Sequence, residues 1–309
     1  MQIQSFEFPS ATGVCEIHGS AYLPDNGDFD TVLVIHHGMA EHRQRYEHFI
    51  GYLCGNGIAV YMHDMANHGT SNRDIALTGW FGEKDGWLGL IADFREMVLR
   101  AKRENPDKKL IVMGHSLGSF ICRLYTARYP EDGFCGAVYE GTGGPNPAAA
   151  AGKALAGMLG LFTGKKHKSK LLAGMAFGTY GKRFEGRTGY DWLTRETGIV
   201  DKYIADPYCG FLFTANGYRD MFELLNYVSG KEWFASFDKN LPVLLICGGD
   251  DPVGPYGDGV KKVRDLLAAN GKQNITMHIY EGGRHEILNE SALFDKVCED
   301  VIAWAESII

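Results

Sequence analysis

A glycine-flanked serine set between an apolar strand and a helix is the feature that most limits what this chain can fold into. In KLIVMGHSLGSFICRLYTARY, residues 109–129, the apolar run Leu110 to Met113 suits an inner strand of a parallel sheet. Gly114, Ser116 and Gly118 match G-x-S-x-G, and Phe120, Leu124 and Ala127 give the following helix a face spaced for packing on that sheet. A strand that turns sharply into a helix forces the serine into a strained backbone conformation, in which larger flanking side chains would collide. The hydroxyl is then held at the helix N-terminus, where positive partial charge favours an oxyanion. The bare pattern also arises by chance as a Gly-Ser turn in other α/β proteins, so the rest of the chain has to decide.

Taken in order, residues 3–8 and 14–23 read as a β-hairpin around Pro9 to Gly13. TVLVIHH (31–37) is a buried strand that runs into GMAEHRQRY (38–46) and a helix to about Cys54. IAVYMHD (58–64) is the next strand, ANHGTSNRD (66–74) a loop, and Trp87 to Asn105 a helix ended by Pro106. After the serine segment, CGAVYEG (135–141) is another strand. Strands alternating with helices at these lengths imply an α/β fold with a mostly parallel, doubly wound sheet. The rhythm stops after Gly141, in GTGGPNPAAAAG, and resumes at LPVLLICGGDD (241–251), with a helix-like piece at 217–229 in between. A helix at 260–269, a strand at 275–282 and an amphipathic helix at 291–308 close the chain. The expected organisation is a core of residues 1–144 and 236–309 with a largely helical cap, 145–235, inserted into it.

Bulk properties remove several classes of function. A net charge of −7 argues against nucleic acid as a partner, because phosphate binding wants a basic surface. Seven cysteines, an odd number with no C-x-x-C pair, read as reduced thiols of a cytoplasmic protein rather than a disulfide frame or a zinc site. The start, MQIQSFEFPSATG, lacks the basic and apolar regions of a signal peptide, and no apolar run approaches a membrane span.

A serine hydroxyl needs a base, and the base needs an orienting carboxylate. In an open α/β sheet these groups come from loops at the carboxyl ends of strands. Two loops qualify: LLICGGDDPVG offers Asp250 and Asp251, and IYEGGRHEILNE offers His285. Asp251 is the preferred acid, since Asp250 can cap the turn and Pro252 fixes the backbone just after Asp251. A lone loop aspartate usually caps a turn and a lone loop histidine is usually solvated; three such residues in the order Ser, Asp, His make the joint bland reading improbable. The oxyanion donors are expected to be the backbone N–H groups of Leu117, just after the serine, and Met39, in a loop that Gly38 lets approach closely. His37 and Gly38 shape that loop. Glu41, His42 and Arg45 either brace it or are simply solvated, and Arg284 and Glu286 flank the base. His115, inside the turn, is expected to point away from the serine.

HHGMAEHRQRY, HDMANHGTS, GHSLG, GGDDPVG and GGRHE occur in the order seen in the monoacylglycerol lipase and lysophospholipase group of α/β-hydrolases, and the sheet domain resembles that group throughout. The resemblance implies Ser116, Asp251 and His285 as a catalytic triad and Met39 and Leu117 as oxyanion donors. The group's Asp-x-x-Gly-His-Gly-x-Ser stretch stands here as Asp64 to Ser71, with Asn67 in the usual glycine position.

These readings converge on ester hydrolysis through an acyl-enzyme, with a monoacylglycerol or a lysophospholipid as substrate and neither a metal nor an organic cofactor. Phe177, Tyr180, Phe184, Trp192 and Phe211, with Tyr190 and Phe213, are candidates for an apolar acyl pocket or for a small core of the cap itself. ALAGMLGLF and LLAGMAFG, split by GKKHKSK, could rest transiently on a lipid surface or simply cover the site. Three rivals stand beside this reading. An aminopeptidase or amidase of the same fold would need an amine-binding acid such as Glu185, Asp191 or Glu196. A non-catalytic binding protein on a hydrolase scaffold would not need the triad. A metal-dependent hydrolase would have to use His36, His37, His63, Asp64 and His68, whose spacing fits no standard ligand set.

Overall fold

The computed structural model describes residues 1–308. Among them, eight strands form one sheet in the order β1-β2-β4-β3-β5-β6-β7-β8. β1 (Gln2–Pro9) and β2 (Glu16–Leu23) make the expected antiparallel hairpin, and β2 also pairs antiparallel with β4 (Ile58–His63). β3 (Thr31–His36), β4, β5 (Lys109–His115), β6 (Gly136–Glu140), β7 (Val243–Gly248) and β8 (Ile275–Tyr280) are mutually parallel. The doubly wound α/β architecture read from the sequence is the one present.

Helices cover both faces, which is why the inner strands carry unbroken apolar runs. Val32, Val34, Leu110 and Val112 face one layer, built with α2 (Gly86–Glu104), α3 (Leu117–Arg128) and α9 (Asp258–Ala269). Leu33, Ile35, Ile111 and Met113 face the other, built with α1 (Glu47–Gly55) and α10 (Phe294–Ser307). The alternation is the period of two of an extended strand, with both sides buried.

Between β6 and β7 the chain leaves the sheet through α4 (Ala149–Thr163), α5 (Lys170–Phe177), α6 (Thr197–Ala205), α7 (Ala215–Ser229) and α8 (Lys231–Ser236). The Ser169 and Thr214 hydroxyls cap α5 and α7 by accepting backbone N–H groups of Leu172 and Gly217. α7 packs on α2 and α3 as well as on α4, so it joins the excursion to the core.

The approach of α3 to the sheet leaves no room for side chains at two positions. A Cβ on Gly114 would sit 2.3 Å from the Gly118 carbonyl oxygen, and one on Gly118 would sit 2.3 Å from the His36 carbonyl oxygen. Both obstacles are backbone and cannot rotate away. Gly118→Ala is therefore expected to destabilise by about 2 kcal/mol or more, seen as a lowered thermal midpoint. Gly51→Ala, on the exposed side of α1 with open space around it, should be neutral or stabilising by about 0.5–1 kcal/mol.

Candidate active site

Ser116 joins β5 to α3 with φ 51° and ψ −119°, a conformation that costs of order 1–3 kcal/mol outside glycine. Its backbone N–H donates to the Glu140 carbonyl (3.0 Å), which pins the turn to the neighbouring strand end. The side chain borders a cavity of about 410 Å³ that His285 also lines.

Asp251 and His285 come together from the loops after β7 and β8. The Asp251 Oδ1 accepts the Val253 N–H (2.8 Å) and the His285 Nδ1–H (3.0 Å), and both side chains are almost fully buried. With Nδ1 carrying the proton, Nε2 keeps a lone pair, the state a base needs. Asp250 is instead half exposed and pairs with Arg195 at 3.1 Å. Segment 192–193 holds the histidine loop from the other side: His285 N–H donates to the Trp192 carbonyl (3.4 Å) and Glu286 N–H to that of Leu193 (2.7 Å). The Trp192 ring lies over His285 with centroids 5.2 Å apart.

The loop after β3 is braced by buried charge. Glu41 accepts the Gly38 N–H (2.6 Å), the Tyr46 hydroxyl (2.8 Å) and Arg45 Nη1 (2.6 Å). Arg45 reaches on to both carboxylate oxygens of Glu286 (2.7 and 2.6 Å). One guanidinium thus links the Met39 loop to the His285 loop. Burial alone would raise the Glu41 pKa, but Arg45 beside it brings it down to about 2. Among the described residues, neither the Met39 nor the Leu117 backbone N–H has a protein acceptor, and both residues line the cavity. His42 Nε2 pairs with Asp206 (2.9 Å), and the Ala40 carbonyl accepts the Gly210 N–H and the Tyr203 hydroxyl, so segment 203–210 clamps the same loop.

The stretch from Asp64 to Ser71 acts as scaffold. Buried Asp64 accepts from Arg43, from the Thr70 N–H (2.8 Å) and from the Thr70 hydroxyl (2.7 Å). Asn67 holds φ 54°, a left-handed conformation that asparagine tolerates better than most residues, and its amide donates to the Trp80 carbonyl (2.6 Å). That explains an asparagine in a glycine position. His37 donates from Nδ1 to the Gly38 carbonyl (2.8 Å) and accepts the Met65 N–H at Nε2 (2.8 Å); burial lowers its pKa and keeps it neutral.

The predicted pocket residues separate into two sets. Phe177, Tyr180, Tyr190, Trp192 and Phe211 line the cavity. Phe184 instead lies under the Arg284 guanidinium (4.6 Å), and Phe213 packs edge-on to Phe81 in the core. Arg284 also donates to the Asp191 carbonyl and to Glu185 (both 2.5 Å), joining the histidine loop to the excursion.

His115 corrects an expectation. Its ring does not turn away: it borders the cavity and packs on His285 with centroids 4.7 Å apart. As the last residue of β5 it follows Ile111 and Met113 to one side of the sheet, in register with Glu140, which bonds its Nδ1. Glu140 itself went unremarked in the sequence. The signal was present, since GAVYE ends an otherwise apolar buried strand in a carboxylate.

The serine aminopeptidase S33 family (Hydrolase_4) matches residues 27–292. A monoacylglycerol lipase of Mycolicibacterium smegmatis is 27% identical over 298 residues, 96% of this chain and 95% of that protein. The human monoglyceride lipase is 26% identical over 286 residues, 92% of this chain and 84% of that protein. The crystal structure of a thermostable carboxyl esterase from Bacillus coagulans, in complex with glycerol, superimposes with a TM-score of 0.92 at 28% identity, covering 100% of this chain and 99% of that one. The chain belongs to the serine aminopeptidase S33 family of α/β-hydrolases.

Proposed function

We propose that the chain is a serine ester hydrolase of the monoacylglycerol lipase type, acting through Ser116, His285 and Asp251. The observation that carries this reading is the Asp251–His285 contact at 3.0 Å, buried beside the cavity that Ser116 borders. His285 takes the serine proton at Nε2 and Ser116 Oγ attacks the ester carbonyl. The Met39 and Leu117 N–H groups hold the oxyanion, and Asp251 holds the imidazole. The protonated His285 releases the alcohol; water then repeats the sequence and frees the acid.

The cavity favours a neutral lipid monoester over a lysophospholipid. Among the described residues no lysine or arginine lines it, and its wall carries Phe120, Phe177, Phe211, Met221 and Phe222. A buried phosphodiester would stand unpaired there, near the carboxylates of Glu41 and Glu286. An amine-binding subsite has no better support. Glu185 pairs with Arg284, Asp191 bonds Thr188, and Glu196 accepts the Ser291 N–H.

Residues 145–235 act as a cap over a core of 1–144 and 236–309, and the cap meets the lipid surface. Leu161 and Phe162 on α4 are 82% and 84% exposed, Leu171 on α5 is 59% exposed, and Lys166 and Lys170 lie close by in the chain. No helix of the described residues is long and apolar enough to cross a membrane. The seven cysteines stand free, in keeping with a reducing, cytoplasmic setting.

Two measurements test this reading. With matched acyl chains, kcat/KM is expected to be at least about tenfold higher on a monoacylglycerol than on a lysophospholipid, with Ser116→Ala inactive on both; equal rates would refute the head-group assignment. Leu161→Glu with Phe162→Glu should slow hydrolysis of monoacylglycerol held in vesicles while leaving turnover of a soluble short-chain ester unchanged. Equal loss on both substrates would remove the surface role.

A further inference from the structure

Glu140 ends β6 directly opposite His115, the last residue of β5, and the following strand β7 leads to Asp251. With His285 from the loop after β8, these strand ends bring two carboxylates and two imidazoles into one buried group. His115 Nδ1 bonds Glu140 Oε2, while Glu140 Oε1 has no hydrogen-bond partner. Glu140 is 1% exposed and His115 4%. The Gly141 backbone lies against both imidazoles, so that a Cβ there would sit 3.0 Å from His285 Cε1 and 3.4 Å from His115 Nδ1. An acid in this place has no packing purpose: an apolar residue would fill it without the cost of a buried charge.

We infer that Glu140 and His115 form a second carboxylate–imidazole pair, packed against His285, which acts as a positioning element governing how readily His285 takes up the serine proton. The inference rests on the reading of His285 as the base. Burial acts to lower the His115 pKa, but Glu140 overrides it and pushes it up to about 9. Glu140 is in turn raised by burial, and the two share one proton. Other charged groups face the pair. Glu41 Oε1 lies 3.9 Å from His115 Nε2, and Glu286, already neutralised by Arg45, lies beyond it. The Tyr46 ring stands 6.3 Å away, and Asp251 lies behind His285.

Within this group an imidazolium at His115 opposes a second proton on His285, and the Glu140 carboxylate offsets that opposition. Removing His115 alone would leave a bare carboxylate beside His285 and make its proton harder to release. Removing both would restore the balance.

The test is the pH dependence of kcat/KM on a soluble aryl ester. His115→Asn is expected to move the acid limb up by about one pH unit, about a tenfold loss near pH 6. Adding Glu140→Gln to it should return the limb to the wild-type position. An unmoved limb in His115→Asn, or a double variant that keeps the shifted limb, would overturn the proposal. A measurement on the unaltered protein guards against variants that fail to fold. Nitrogen-15 histidine spectra should show a buried imidazolium persisting at pH 8, lost in Glu140→Gln; a neutral His115 at pH 7 would equally overturn it. The underlying triad is scored separately. Activity abolished by Ser116→Ala and His285→Ala, with an unmoved limb in His115→Asn, condemns the pair alone, whereas a fully active His285→Ala condemns the base assignment itself.

Discussion

Everything at the site depends on how closely α3 is allowed to approach the ends of β3 and β5. Backbone lies against backbone at Gly114 and Gly118, with carbonyl oxygens of His36 and Gly118 occupying the places where side chains would begin. That contact bends the chain at Ser116 into a positive φ. The strain, of order 1–3 kcal/mol, is sustained by the surrounding packing rather than by the turn itself. Its effects are local and specific. The serine is presented at the start of a helix, and the Leu117 N–H is left without a protein acceptor.

Buried charge then fixes the loops around that turn. Arg45 carries Glu41 on one side and Glu286 on the other, so the segment bearing Met39 and the segment bearing His285 share one cation. Burying three charges costs several kcal/mol each before pairing, and removing one partner would leave the others uncompensated. The arrangement therefore contributes more to geometry than to stability. The excursion between β6 and β7 joins the same assembly through Asp206 on His42, Tyr203 on the Ala40 carbonyl, and Glu185 on Arg284. Segments of the excursion are thereby tied to the loops that border the serine.

Legibility in the sequence followed physical simplicity. β3, β4, β5 and β7 were plain because strands buried on both faces must be continuously apolar. The turn at Ser116 was plain because only glycine fits at two fixed offsets. The choice of Asp251 over Asp250 rests on the turn cap open to Asp250 and the stiffness of Pro252, and the geometry puts Asp251 beside His285 and Asp250 beside Arg195. What sequence could not supply was direction. His115 is expected to point away from the serine, yet its ring follows Ile111 and Met113 to the Tyr46 side of the sheet and still borders the cavity. For Glu140 the sequence carries a single sign, a carboxylate closing an apolar strand, with no periodicity to reinforce it. Phe177 closes α5 and Phe184 follows seven residues on, and only tertiary contacts send one to the cavity and the other under Arg284.

The central claim is that Ser116 is a nucleophile made reactive by the His285–Asp251 couple. It is tested most directly by the rate at which a fluorophosphonate attaches covalently to the protein, with the modified residue located by mass spectrometry. The account requires the adduct on Ser116, and a rate lower by at least about a hundredfold in a folded Asp251→Asn variant, where His285 loses the carboxylate that orients it. An adduct on another residue, or an Asp251→Asn protein labelled at the unaltered rate, would contradict it.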